Sequence, residues 1–162
     1  MDNMLLVAGA GQNVGKTTFI CEVLQKFNKL ENIVAIKVSS HPHILKSGVC
    51  LWKQGEASIY KETISNHKDT GRYLAAGASG SYLVQSRDTG FMQAFQQLLP
   101  EISGRACLME SALYLNYYQP ALFFYLFAQT GSENTILHWL KRLTNRLGLR
   151  ITSLILTLMH LL

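Results

Sequence analysis

The sequence predicts an α/β fold in which helices flank a mostly parallel β-sheet. Short apolar or β-branched runs alternate along the chain with segments whose apolar residues recur at helical spacing. Such alternation is typical of a sheet sandwiched between helices. The chain has 162 residues, 48% of them apolar, which suits one domain with one core. We therefore expect a single domain over residues 1–162.

The first forty residues predict a strand, a loop, a helix and a second strand. Met4–Gly9 is a short apolar run that ends in glycine. From Lys16 to Leu30, apolar residues repeat with the period of one helix face. Ile33–Val38 is a β-branched run, so the two strands are expected to be parallel and joined by a crossover helix.

The middle of the chain predicts an inserted β-hairpin and then a return to alternation. Gly48–Trp52 and Ala57–Ile64 flank the turn of this hairpin. The elements expected after it are a helix capped by Asp69 and ended by Gly77, strand Ser81–Ser86, helix Phe91–Leu99 stopped by Pro100, strands Arg105–Ser111 and Ala121–Ala128, and a late helix over residues 136–147. The tail, residues 151–162, is atypical: it suits either a last buried strand or a truncated or frameshifted reading frame.

The charge of the chain favours a small anionic ligand over nucleic acid. The formal net charge is +5, but the lysines and arginines are scattered. No basic run interleaved with aromatic residues is present, so stacking on bases is not expected. A mildly basic surface suits a phosphate-bearing small molecule.

Cysteine usage and hydropathy predict a cytoplasmic protein with no membrane span. The three cysteines, Cys21, Cys50 and Cys107, form neither a CxxC pair nor an even-numbered framework, which predicts buried thiols in a reducing compartment. The N-terminus has no basic segment before its apolar run, which argues against a signal peptide. No segment is long and apolar enough to cross a bilayer.

A glycine-rich loop after the first strand predicts phosphate binding. Ala10–Thr17 reads AGQNVGKT, the P-loop pattern with alanine in place of its first glycine, between a buried strand and a helix. Backbone N–H groups of such a loop wrap phosphate oxygens beside a helix N-terminus. Lys16 would reach the β- and γ-phosphates, Thr17 would bind Mg²⁺, and Thr18 would contact the α-phosphate. The expected nucleotide-binding residues are Gly11, Gln12, Asn13, Val14, Gly15, Lys16, Thr17 and Thr18. This loop assigns the fold to the P-loop NTPase type.

Two carboxylates are candidates for handling metal and water. Glu110 ends a predicted strand, at the edge where open α/β sheets bind ligands. We expect it near Mg²⁺ or its waters; the alternative is a solvated strand-end glutamate. Asp69 is the second candidate and could equally be only a helix cap. Together with Lys16, these are the candidate catalytic residues.

Two further motifs are interpreted as ordinary loop segments. Asn28–Glu31 resembles a guanine-reading element, but it lies at the end of the first helix, where such elements do not occur. His41 and His43 flank a proline without a nearby cysteine or carboxylate, which is a weak metal signal.

The chain resembles the molybdopterin-guanine dinucleotide biosynthesis adaptor protein B family of P-loop proteins. The resemblance rests on GQNVGKTT, IVAIKVSSHPH, HKDTGRYLAAGAS and LMESALYLNYYQPALFF, which span about Met4 to Phe127. It implies nucleotide binding by Gly15, Lys16 and Thr17, and functional roles for Asp69 and Glu110. It also implies GTP, Mg²⁺, a homodimer, and a partner enzyme that attaches a nucleotide to molybdopterin.

One departure of the chain from this family argues against rapid hydrolysis. Val38-Ser39-Ser40 precedes His41, so the acidic group expected after the second strand is missing. We therefore expect a protein that binds GTP or ATP with Mg²⁺, hydrolyses it slowly and assists attachment of a nucleotide to the molybdenum cofactor. The alternative is a non-catalytic nucleotide-binding adaptor or sensor that regulates a partner protein.

Overall fold

The structure is a computed structural model that describes residues 2–9, 11–29, 31–41, 47–111 and 113–126. The described residues belong to one compact unit, Met1–Leu126. The predicted late helix and the atypical tail lie outside the described residues. A single domain over residues 1–162 therefore stays a prediction.

Seven strands of the described chain form one mostly parallel sheet, which confirms the α/β fold class. Their order across the sheet is β3-β4-β5-β2-β6-β1-β7. Their bounds are β1 Met4–Gly9, β2 Ile33–Ser39, β3 Gly48–Gln54, β4 Ala57–Glu62, β5 Gly80–Gln85, β6 Ala106–Glu110 and β7 Leu122–Leu126. Strands β1 and β2 are parallel as predicted, but β6 lies between them and pairs with both.

The predicted hairpin is confirmed and extends the sheet at one edge. Strands β3 and β4 pair antiparallel around a turn at Gly55 and Glu56, and β4 also pairs antiparallel with β5. Because β4 runs against β5, the beginning of β4 lies beside the carboxyl end of β5, with Ser58 opposite Gln85. The turn of the hairpin therefore reaches the carboxyl edge of the parallel strands.

The described helices cover both faces of the sheet. They are α1 Lys16–Phe27, α2 Asp69–Ala75 and α3 Asp88–Ile102. Helices α1 and α2 pack on one face of the sheet and α3 packs on the other. Successive strand residues point to opposite faces, so each central strand contributes side chains to both layers. On the first face Ile20, Leu24 and Tyr73 join Val7, Ala35 and Leu108; on the second Phe91, Phe95 and Leu98 join Leu6, Ile36 and Met109.

Two predicted helix ends are wrong. Helix α1 ends at Phe27 rather than Leu30, and the side chain of Asn28 donates a hydrogen bond of 3.2 Å to the carbonyl of Ala76. Helix α3 passes through Pro100 and ends at Ile102. Ile102, beyond the proline, is fully buried, and the roughly 1.5–3 kcal/mol from its burial offsets much of the roughly 3 kcal/mol that a proline costs inside a helix.

The cysteine prediction is confirmed only in part. Cys107 is buried and Cys21 is half-buried, but Cys50 is exposed on the edge strand β3. Burial raises the pKa of the Cys107 thiol to about 11. Within the described residues, no helix is long and apolar enough to cross a membrane.

Candidate functional site

The loop between β1 and α1 has the backbone of a tight turn into a helix. At Gly9 a Cβ atom would lie 2.7 Å from Cγ2 of Val14 and 2.8 Å from the carbonyl oxygen of Leu126, so only glycine fits where the loop starts. Asn13 and Gly15 have positive φ angles of 61° and 90°, a region that asparagine and glycine tolerate best. Helix α1 begins directly after Gly15. Ala10 lies outside the described residues.

The loop is open to solvent, and its polar groups lie at the start of α1. Gly11, Gln12, Asn13 and Gly15 are exposed, whereas Val14, Lys16 and Thr17 are half-buried. The ammonium group of Lys16 donates a hydrogen bond of 2.5 Å to the carbonyl of Gly11, which lays the side chain across the loop. Thr18 is exposed, and its hydroxyl accepts a hydrogen bond of 3.3 Å from the guanidinium of Arg72 on α2.

Glu110 is a buried carboxylate beside this loop, so the alternative of a solvated strand end is wrong. It ends β6, next to β1, and only 4% of its surface is exposed. The hydroxyl of Thr17 donates to its Oε2 at 3.1 Å, and the phenol of Tyr73 donates to the same oxygen at 2.8 Å. Its Oε1 accepts a hydrogen bond from the ammonium of Lys37. Both carboxylate oxygens are therefore engaged within the described structure.

Asp69 joins this cluster through an ion pair rather than acting as a cap. It lies in the first turn of α2, whose N-cap residue is Lys68, and no side chain caps that helix end. Its Oδ2 lies 3.1 Å from the Nζ of Lys37, which also contacts Glu110. The predicted capping role is wrong, and Lys37 bridges the two candidate carboxylates.

Tyr73 is a fixed hydrogen-bond donor in the cluster. Burial and the neighbouring charge of Glu110 raise the pKa of its phenol well above 10. The phenol therefore keeps its proton throughout the physiological range, and it orients one Glu110 oxygen toward the start of α1.

Two residues of the cluster were missed by the sequence analysis. Lys37 had a visible signal, because it is a charged residue inside the buried apolar run Ile33–Val38, where an unpaired ammonium would be costly. Tyr73 had none, since a tyrosine in a short helix looks like an ordinary core residue. The structure brings Lys16, Thr17, Asp69 and Glu110 to one edge of the sheet.

The oxygen atoms of the cluster suit a hard cation only with help from a ligand. Among the described residues no three histidine, cysteine, aspartate or glutamate side chains form a group that could hold a metal ion. Mg²⁺, however, is commonly held by one or two protein oxygens together with substrate phosphates and waters. A hydroxyl and a carboxylate at the mouth of an open loop are donors of that kind.

Comparison with protein-family models, curated proteins and solved structures gives no match to the chain.

Proposed function

We propose that this protein binds a purine nucleoside triphosphate, GTP in preference to ATP, together with Mg²⁺. The observation that carries the proposal is the 3.1 Å hydrogen bond from Thr17 to Glu110. It joins the first turn of the helix after the glycine loop to a buried carboxylate at the end of the neighbouring strand. That is the arrangement in which a threonine and an acidic residue share a Mg²⁺ bound to phosphate.

In this proposal each loop residue has one task. Backbone N–H groups from Gly11 to Thr18 surround the phosphates beside the N-terminus of α1. Lys16 exchanges the carbonyl of Gly11 for a terminal phosphate oxygen. Thr17 supplies an oxygen to Mg²⁺, and Glu110 orients one of the waters on the ion.

Hydrolysis is expected to be slow because the two candidate carboxylates near the loop already have a charged partner. The ammonium of Lys37 contacts both Glu110 and Asp69, so it would compete with an attacking water for either carboxylate. The same observation favours the second candidate function, a non-catalytic nucleotide-dependent adaptor or sensor. A single-turnover assay with Mg²⁺ separates the two, because only the hydrolase releases phosphate.

We further propose, from the family resemblance, a cytoplasmic homodimer that assists a nucleotidyltransferase of molybdenum-cofactor biosynthesis. Binding titrations that compare GTP, ATP and molybdopterin test the ligand part of this proposal. ATP bound more tightly than GTP would contradict the choice of base and leave the loop assignment intact.

The direct test of the loop is the Lys16→Ala variant. It should lose detectable GTP binding in calorimetry, because a half-buried ammonium beside the loop contributes charge to phosphate and little to the core. The matched control is Lys29→Ala, which removes an exposed ammonium beyond the far end of α1. A folded Lys16→Ala protein that binds GTP as the wild type does would refute the proposal.

A further inference from the structure

A second polar cleft lies at the same edge of the sheet as the glycine loop. Its volume is about 200 Å³, and it is enclosed by the residues that follow β2 and β5 and by the turn of the β3–β4 hairpin. This position follows from the strand order, because β2 and β5 are parallel neighbours and β4 begins beside the end of β5. Clefts outside the carboxyl ends of parallel strands are where α/β proteins bind ligands.

The floor of the cleft is polar and buried. Ser58, Gln85 and Ser86 are each less than a tenth exposed. The hydroxyl of Ser58 donates a hydrogen bond of 3.1 Å to Oε1 of Gln85, and the hydroxyl of Ser86 donates to the carbonyl of Arg87 at 2.7 Å. A core position here would carry apolar side chains, so this floor is built for a polar occupant.

The walls of the cleft carry more positive than negative charge. Lys53 and Arg87 are cationic, and Glu56 is the single carboxylate among the lining residues that the structure describes. Glu56 and Arg87 approach to 3.4 Å, but their side chains are 74% and 70% exposed, and an ion pair in that setting contributes little. An entering anion can therefore take the Arg87 guanidinium, whose fork of N–H donors matches carboxylate and phosphate oxygens.

The size of the cleft restricts the ligand further. Sites for drug-sized ligands occupy about 300–1,000 Å³, so about 200 Å³ suits a small anion or the anionic end of a larger molecule. Strand β6, which carries Glu110, and strand β5 are two strand spacings apart, roughly 10 Å. A small molecule anchored in the cleft could therefore reach the Mg²⁺-bound phosphates of a nucleotide whose metal lies beside Glu110 at the end of β6.

We propose that this cleft binds the phosphate or carboxylate group of a second small-molecule ligand and presents that ligand to the nucleotide in the loop. The first part rests on the cleft alone, and the second part rests on the proposed function. Lys53 and Arg87 attract and hold the anion, Ser58 and Gln85 lie beneath it, and Glu56 opposes it.

The test uses the full chain carrying Lys16→Ala. This substitution removes the loop lysine, so that the anion binding that is measured can be assigned to the cleft. Inorganic phosphate and succinate are titrated by calorimetry into this protein and into the same protein with Lys53→Gln and Arg87→Gln added. We expect the affinity for at least one of the two anions to fall tenfold or more. The anion that binds identifies the ligand group.

The control is Lys26→Gln with Lys29→Gln in the same background, because it removes the same charge from exposed positions near and beyond the end of α1. It should leave anion binding unchanged. The cleft variant is the Lys16→Ala protein with Lys53→Gln and Arg87→Gln added, and its parent is the Lys16→Ala protein. Equal anion binding by these two proteins, or an equal loss of binding in the control, would overturn the proposal. Glu56→Gln should tighten anion binding a few-fold, and weaker binding would also overturn it.

The two proposals fail separately. If Lys16→Ala retains GTP binding while the cleft variant loses anion binding, the loop assignment falls and the cleft remains. If GTP binding requires Lys16 but the cleft variant binds anions as its parent does, the cleft falls and the loop remains.

Discussion

Two buried glutamates, Glu110 and Glu62, end strands of the same sheet that are separated by β5 and β2, and they have contrasting surroundings. Glu110 ends β6 and is 4% exposed; Glu62 ends β4 and is 3% exposed. Glu110 has a lysine ammonium beside it. The donors to Glu62 within the described residues are all neutral, and they include the Thr63 N–H at 3.1 Å, the amide of Asn66 at 3.2 Å and the hydroxyl of Thr70 at 3.0 Å.

The difference separates a carboxylate of the site from a carboxylate of the scaffold. Glu62 ties together the chain from Thr63 to Thr70, which leads into α2, and it also hydrogen-bonds with Ser47 beside the start of β3. Glu110 joins Thr17, Lys37 and Tyr73, which come from three different elements. Because α2 carries Asp69 and Tyr73, the Glu62 network also holds part of the site in place.

The largest effect is expected from Glu62→Ala. It removes the acceptor of the buried Thr70 hydroxyl, whereas the Asn66 amide and the Thr63 N–H keep acceptors on Ser47. An unsatisfied buried group costs about 1–3 kcal/mol, so we expect the free energy of unfolding to fall by about 1–3 kcal/mol, measured by denaturant titration. The control is Glu56→Ala at an exposed position, which should stay within about 0.5 kcal/mol of the wild type. Similar losses of stability in both variants would show that Glu62 stabilises the fold no more than an exposed glutamate does.

Glu110→Gln should act on turnover more than on folding. It keeps the shape of the side chain, and Asp69 remains to pair with Lys37. If Glu110 orients a water on Mg²⁺, phosphate release should fall tenfold or more while the Kd for GTP changes only modestly, the pattern of an interaction made mainly in the transition state. Unchanged turnover in a folded variant would remove Glu110 from the site. If the wild type releases no phosphate, the adaptor function becomes the conclusion.

A smaller effect is expected from Tyr73→Phe, which removes the hydrogen bond from Tyr73 to Glu110. The phenol donates one hydrogen bond of 2.8 Å in a buried place, so its loss should cost about 1 kcal/mol of stability. If Tyr73 also orients Glu110, turnover should fall several-fold while the Kd for GTP stays the same. A loss of stability with unchanged turnover would show that the phenol serves packing alone.

The sequence predicted the local parts of this contrast and not its long-range part. The strand, loop and helix around Gly15, and the position of Glu110 at a strand end, follow from residue patterns of short range. The contact between Lys37 and Glu110 joins residues 73 apart in sequence, and it depends on β6 lying between β1 and β2. One sequence does not reveal that strand order, so the burial of Glu110 could not be predicted. Pro100 misled for a related reason, because tertiary burial of Ile102 overrode a local stop signal.

The smallest expected effect, and the sharpest contrast with a surface carboxylate, is the pH dependence that Glu62 adds to stability. Burial alone raises the pKa of its carboxyl, but hydrogen bonds from Ser47, Asn66, Thr70 and Thr63 together lower it below the ordinary 4.5. In the window below 4.5 the unfolded chain therefore binds a proton that the folded chain does not, and stability rises with pH there. The contribution of Glu62 is complete above pH 4.5 and is lost as the pH falls through the lowered pKa. Chemical denaturation of wild type and Glu62→Gln between about pH 3 and pH 6 should show a shallower acid slope for the variant, and parallel slopes would show that Glu62 titrates alike in both states.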